Sequence, residues 1–258
     1  MLIDTHCHIH ESAFYSDSQR EAVYQRAIAA HVRMICVGTT KATSQEAIEF
    51  AKHHPETWAI IGLHPHDSSE GCDGIHQLLR EHLDSSAEHA GAIVGIGEIG
   101  LDYHYMNSPR NVQIKVLEQQ LQWATEYNLP VSFHVRDAFD DFWPIFSNFQ
   151  GLRGVLHSYT DNLSNMEHAL SKGLYVGING ISTFTKDENQ QKMYDAIPLE
   201  HMLFETDAPF LTPVPHRGKI NESAFVRLIA EHHALRRNKT LDEIATITSA
   251  NASQLFSI

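Results

Sequence analysis

The stretch LIDTHCH, residues 2–8, decides the fold reading because its chemistry changes halfway along. Two apolar residues, Leu2 and Ile3, give way at once to Asp4, His6, Cys7 and His8. On a strand, residues two apart share a face. His6 and His8 therefore point one way and Cys7 the other, toward a helix layer. An apolar run ending in metal-ligand residue types is the pattern expected of a buried barrel strand at its C-terminal end. A single HxH pair is a weak signal, and a polar N-terminus with nothing bound reads the same way. The rest of the chain has to repeat the pattern.

Seven further apolar runs follow: Arg33–Val37, Ala59–Leu63, Ala92–Ile96, Val131–Phe133, Gly154–Leu156, Leu174–Ile178 and Met202–Phe204. Helical spacing fills the intervals, as with Ile114, Leu117, Leu121 and Ala124, and later Phe225, Leu228, Ile229 and His232. Asp73, Ser108 and Asn162 read as N-caps or pre-helix turn residues, and Gly151 and Gly173 as helix ends before strands. Strand then helix, eight times, predicts an α/β protein of the (β/α)8 TIM barrel class. Thr240–Phe256 reads as an extra C-terminal helix. A doubly wound open sheet is the alternative. No linker or internal repeat interrupts the pattern, so one domain over residues 1–258 is expected.

The chain carries 19 basic and 32 acidic residues, a net charge of −13. That argues against broad coating of a nucleic-acid backbone, which needs a basic surface. It leaves room for a grip on a few phosphates, since bound divalent ions invert the local sign. Cys7, Cys36 and Cys72 are odd in number and form no CxxC pair, which fits a reducing compartment. No signal-peptide pattern and no run of 18 apolar residues appears. A soluble cytoplasmic protein with no membrane association is expected. Histidine is abundant, with 19 copies. Pairs such as His53-His54 and His232-His233 sit in polar helical surroundings, and most of these residues are expected to be solvated at the surface.

The ends of the other runs carry the chemistry. GLHPH places His64 and His66 after the third run. GIGEIGLDY sets Glu98 in an apolar, glycine-rich stretch, where a carboxylate is costly to bury unless paired or metal-bound. Asp102 follows and can orient a ligand or cap a loop. His134 ends the fifth run, with Arg136 two positions on. His157 ends the sixth, and LFETDAP offers Glu205 and Asp207. His6, His8, Glu98, His134, His157 and Asp207 thus occupy strand ends together, a set able to hold two divalent ions. Imidazole suits Zn, Mn, Ni or Fe better than Mg. Two divalent ions (Zn, Mn or Mg) are the expected cofactors. There is no GxSxG elbow, no P-loop and no persuasive cysteine nucleophile, so hydrolysis by an ion-activated water is expected. Glu98 and Asp207 are the candidate catalytic residues, Asp207 as proton acceptor. His64, Arg136 and Arg217 are the candidate substrate contacts, Arg217 by its fork of donors.

DTHCH, GLHP, GEIGLDY, LPVSFHVRDA, GVLHSYT and ETDAPFLTP followed by PHRGK occur in an order that resembles the TatD family of metal-dependent deoxyribonucleases. The resemblance runs from residue 4 to the C-terminal NASQLF. It implies a TIM barrel with a two-metal site. In that picture His6, His8, Glu98 and Asp207 bind one ion, and Glu98 bridges to a second held also by His134 and His157. It implies phosphodiester hydrolysis in DNA as a 3′–5′ exonuclease. Three positions depart from the usual pattern: Tyr159, Ile220 and Ser223, none of them an expected ligand. The competing reading is an amidohydrolase-like enzyme acting on a small phosphoester, an amide or an aminoacyl-tRNA ester. Such enzymes often bridge their metals with a carboxylated lysine. Here Lys186 and Lys219 lie away from strand ends, which favours the nuclease. A non-catalytic metal-binding module is the third reading, and the complete donor set argues against it.

Overall fold

The apolar runs become strands, and several continue into the polar residues beyond them. The computed structural model describes residues 1–84 and 92–258. The strands are β1 (Leu2–Cys7), β2 (Val32–Val37), β3 (Thr57–Ile61), β4 (Ile93–Asp102), β5 (Val131–Arg136), β6 (Gly154–Leu156), β7 (Tyr175–Ile178) and β8 (Met202–Phe204). Among the described residues eight α-helices alternate with them: α1 (Asp17–Ala29), α2 (Lys41–His53), α3 (Asp73–Leu79), α4 (Arg110–Glu126), α5 (Phe139–Ser147), α6 (Leu163–Ser171), α7 (Glu188–Ala196) and α8 (Val226–Arg236). A ninth helix, α9 (Leu241–Phe256), is the extra C-terminal one. The strands neighbour one another in chain order, β1 to β8, with parallel registers. This is the (β/α)8 TIM barrel.

Contacts group the chain into two compact units, residues 1–36 with 156–258, and residues 37–155. In the first, the buried Asp4 carboxylate ties β1 to the end of β8. It accepts from the Thr206 backbone N–H at 2.8 Å and from the Thr206 hydroxyl at 2.6 Å. Burial pushes the Asp4 carboxyl up to about 7, against these hydrogen bonds, which favour the charged form. Asn251 of α9 donates its side-chain amide to the carbonyls of Leu199 and Met202, fixing that helix beside the start of β8. Thr240 and Glu243 cap α9 reciprocally.

In the second unit, β4 continues well past Ile96. Glycines in this stretch allow either a tight turn or a close backbone approach, and in the strand they serve the approach. A Cβ on Gly100 would lie 1.7 Å from the carbonyl oxygen of His134, its register partner on β5. Two aromatic neighbours from α5, Phe142 and Phe146, pack edge-on against Phe133 of β5. Asn162 caps α6, accepting from the Asn165 N–H at 2.9 Å. Asp73 is the first residue of α3 behind Cys72, and Pro109 precedes α4. Ser108 instead donates to the His66 carbonyl at 2.8 Å and accepts from the Ser69 N–H. Gly151 and Gly173 do stand at turns before strands, both with φ of +76°, where glycine is free of the Cβ penalty.

His233 is an exception to the expectation that most paired histidines are solvated. His233 is fully buried in α8, because the packed face of the helix reaches it and helical spacing does not register polarity. Its Nε2–H points at the Ser182 hydroxyl oxygen, 3.0 Å away, and that hydroxyl donates onward to the Asn179 carbonyl. Among the described residues Nδ1 has no partner, so a second proton there would find no acceptor. Burial, with the neighbouring cations of His232, Arg237 and Arg236, pushes the His233 imidazole down to about 3 from an ordinary 6.5. Below pH 6.5 the unfolded chain takes up a proton that the folded chain refuses, so stability falls as pH falls through this window. Between pH 6.5 and 5 the expected loss is about 2 kcal/mol. Denaturant titrations of wild type and His233→Gln across this range should show the variant with the shallower pH slope. Parallel slopes would mean that His233 takes up its proton in the folded state.

Candidate metal centre and its neighbours

β1 and the segments after β6 and β8 bring three imidazoles around one carboxylate in the first unit. His6 and His8 share a face of the chain at the end of β1, their ring centroids 5.1 Å apart. His157, just past β6, stacks on His6 at 3.5 Å. The Nε2 atoms of His6, His8 and His157 lie 3.9, 3.3 and 3.8 Å from Asp207 Oδ1. Cys7 points away, its Sγ directed at the Ile35 carbonyl.

Two further carboxylates orient these rings. Glu11 Oε1 stands 3.2 Å from His8 Nδ1, and Glu205 Oε1 stands 2.9 Å from His157 Nδ1. His8 and His157 each turn Nδ1 to a carboxylate and Nε2 to Asp207; for His8 this is the arrangement that fixes tautomer and direction in metal-ligating histidines. Glu205 also accepts from the Ser158 N–H at 2.6 Å. Burial alone would raise the Asp207 carboxyl, but the hydrogen bond from His8 and the charges of His157, His8 and His6 hold it below its ordinary value. Burial opposes charge on His8 too, yet Asp207 and Glu11 hold its imidazole well above the usual range. Asp207 adopts a left-handed backbone conformation, φ +57°, which aspartate tolerates better than most residues. Its N–H is fixed to the His6 carbonyl at 2.9 Å.

The second unit holds another donor cluster, on β4, β5 and the segment after β3. His134 Nδ1 is 2.7 Å from Glu98 Oε1, and His134 Nε2 is 2.9 Å from Asp102 Oδ2. His66 Nε2 reaches the same Asp102 oxygen at 3.1 Å. Asp102 is buried, which opposes its charge. The hydrogen bonds from His134, the Tyr105 backbone and His66 outweigh that and hold its carboxyl well below the ordinary range. His64 lies 3.5 Å from Glu98 Oε1 through Nε2. Its Nδ1 accepts the His66 backbone N–H at 3.2 Å. Burial lowers the His64 pKa, more than the Glu98 charge raises it. The ring is then neutral with its proton on Nε2, because Nδ1 is occupied as an acceptor.

Both clusters have the chemistry of a divalent-ion site. His6, His8 and Asp207 offer donor atoms all within 4.8 Å of one another, as do His64, Glu98 and His134. Nitrogen and carboxylate oxygen suit Zn or Mn. Distance alone groups His64 with the second set, but its Nε2–H makes it a hydrogen-bond donor in this geometry.

The cationic candidates are turned onto aromatic rings. Arg136 is exposed and its guanidinium lies 4.8 Å from the Tyr105 ring centroid. The Arg217 guanidinium sits 3.7 Å from the Phe184 centroid and donates to the Thr212 carbonyl at 3.2 Å. Sequence reasoning singled out Asp102 and Glu205 without fixing their partners, and it passed over Glu11. The signal for Glu11 was its spacing, three residues after His8. Phe14 and Phe210 were also passed over, since an exposed aromatic residue has no pattern of its own in a sequence.

YabD of Bacillus subtilis, named an uncharacterized metal-dependent hydrolase, is 36% identical over the whole of both chains. The Salmonella typhimurium protein named 3′-5′ ssDNA/RNA exonuclease TatD is 33% identical, covering 100% of this chain and 99% of its own. Among solved structures, YjjV of Escherichia coli, a TatD homologue, superposes with a TM-score of 0.89 at 27% identity, covering 100% of this chain and 98% of its own. Among the described residues no helix is long and apolar enough to cross a membrane. The sequence model of the TatD related DNase family matches residues 3–257, and the chain belongs to that family of metal-dependent hydrolases.

Proposed function

We propose that the protein is a phosphodiesterase that shortens single-stranded DNA from its 3′ end, using two divalent ions. The observation that carries the reading is the convergence of three imidazole Nε2 atoms on Asp207 Oδ1, two of the rings oriented from behind by Glu11 and Glu205. The Salmonella relative's name supports the choice of substrate and direction. His6, His8 and Asp207 would hold one ion, with His157 beside them. Glu98 and His134 would hold the other. When bound, the ions supply charge neutralisation at the phosphoryl oxygens and a lowered pKa for the attacking water.

The chain's own residues do the rest. Asp207 stays an anion at neutral pH and takes the proton of the attacking water at its carboxylate. His64 donates from Nε2 to a phosphoryl oxygen, so it binds substrate. Asp102 keeps His134 in one orientation through Nε2. Arg136 is an exposed cation available to the next phosphate along the strand.

Protein stripped by chelator and reloaded with Zn, Mn or Mg tests the reading on end-labelled single-stranded DNA. Stepwise shortening from the 3′ end, abolished by EDTA, is expected. Two metal equivalents should bind, and Glu98→Ala should lose at least one. Loss of both would be the result of the bridging role that the family resemblance implies for Glu98. Intact DNA with two equivalents bound would overturn the DNase reading and turn the search to small phosphoesters and aminoacyl-tRNA esters.

A further inference from the structure

Phe14 and Phe210 are 42% and 47% exposed, yet both are held firmly. Their rings meet edge to face, centroids 5.2 Å apart. Phe210 also meets the ring of His8 at 6.4 Å. The Phe210 N–H donates to the Asp207 carbonyl at 2.8 Å. Its carbonyl accepts the buried Asn221 side-chain amide at 2.6 Å. The Tyr15 hydroxyl donates to the Asn221 carbonyl at 2.9 Å, so the segment carrying Phe14 is pinned to the one carrying Phe210. Isolated exposed apolar residues need no explanation. This pair is different, because it is preorganised, in mutual contact and continuous with the imidazole of a candidate ligand.

We infer that Phe14 and Phe210 form a stacking subsite for an unpaired nucleobase next to the His6, His8 and Asp207 cluster. The inference rests on the proposed phosphodiesterase reading and adds how the strand is recognised. A chain with a net charge of −13 has little to gain from neutralising a long run of phosphates. Its Arg217 is already committed to Phe184 and Thr212. Stacking is indifferent to protein charge and to base identity, because every base has a π face. Bases inside a duplex have both faces covered by their neighbours. The subsite therefore selects a single-stranded end, and discriminates strandedness without reading sequence.

The test uses the metal-loaded enzyme and a short single-stranded oligonucleotide carrying 2-aminopurine at its 3′ end, whose fluorescence is quenched by stacking. Binding to wild type should quench it, and Phe210→Ala should abolish the quench. Hydrolysis of an unmodified oligonucleotide by Phe210→Ala should show KM raised about tenfold, with Phe210→Trp restoring it. Phe14→Ala should show a smaller rise. An oligonucleotide with an abasic 3′ residue should be cleaved with the same KM by wild type and Phe210→Ala. Hydrolysis without quenching, with KM unmoved in Phe210→Ala, would overturn the subsite and leave the nuclease standing. An equal rise in KM on the abasic substrate would also overturn it, leaving only a general packing role. Quenching without hydrolysis would sink the nuclease reading and keep the subsite.

Discussion

Asp207→Asn is expected to lower the hydrolytic rate about 1,000-fold while leaving the fold intact. The position has a left-handed backbone, φ +57°, and asparagine tolerates that conformation as aspartate does. The N–H bond to the His6 carbonyl is also kept. What disappears is the negative charge on which the three Nε2 atoms converge at 3.3 to 3.9 Å. An amide offers a neutral oxygen, or turns its NH2 toward the imidazoles, and it accepts no proton. The measurement is kcat on a single-stranded oligonucleotide, with thermal unfolding and metal content recorded in parallel. A rate within tenfold of wild type would remove Asp207 from the chemistry. A collapse in Tm would show that its charge serves the fold.

Gly100→Ala should be the most damaging conservative substitution in the second unit. A methyl group there would lie 1.7 Å from the His134 carbonyl oxygen, and that atom belongs to the backbone of the paired strand. No side-chain rotation relieves such an overlap. β4 and β5 must separate where Glu98, Asp102 and His134 are held. The expected cost is at least about 3 kcal/mol, a fall in Tm of about 10 °C, with loss of the ion bound by Glu98 and His134. Gly74→Ala is the control. Gly74 lies in α3, and its new methyl group would meet the Cδ of Lys41, the first residue of α2, at 2.7 Å; rotation of that side chain can relieve the contact and helix propensity favours alanine, so little change is expected. A soluble Gly100→Ala protein with wild-type Tm and full metal content would show that the strands can part at no cost.

The eight-fold alternation was legible because burial of a parallel strand on both faces leaves a continuous apolar run. Gly154–Leu156 and Met202–Phe204 coincide with β6 and β8 to the residue. β4 was legible only in part. Glycine in sequence signals either a tight turn or a close backbone approach, and only the neighbouring strand decides for the second at Gly100. Nothing in the sequence marked His233 as buried, for a related reason: an apolar face can bury a histidine that has one well-placed partner, and that partner is Ser182, 51 positions away.

Sequence alone determined which donor types stand at the strand ends, since residue identity and the two-residue period of a strand are both local. Tertiary structure decided which nitrogen of each ring is turned to which carboxylate. Glu11 and Glu205 direct two rings at Asp207, and the His66 N–H makes His64 a donor where distance alone would make it a ligand. The Asp4–Thr206 bonds, between residues 202 positions apart, join the strand that ends in His6 to the segment that leads into Asp207. Hydrogen bonds are directional over a few ångströms and indifferent to separation along the chain, so these assignments exist only once the chain has folded.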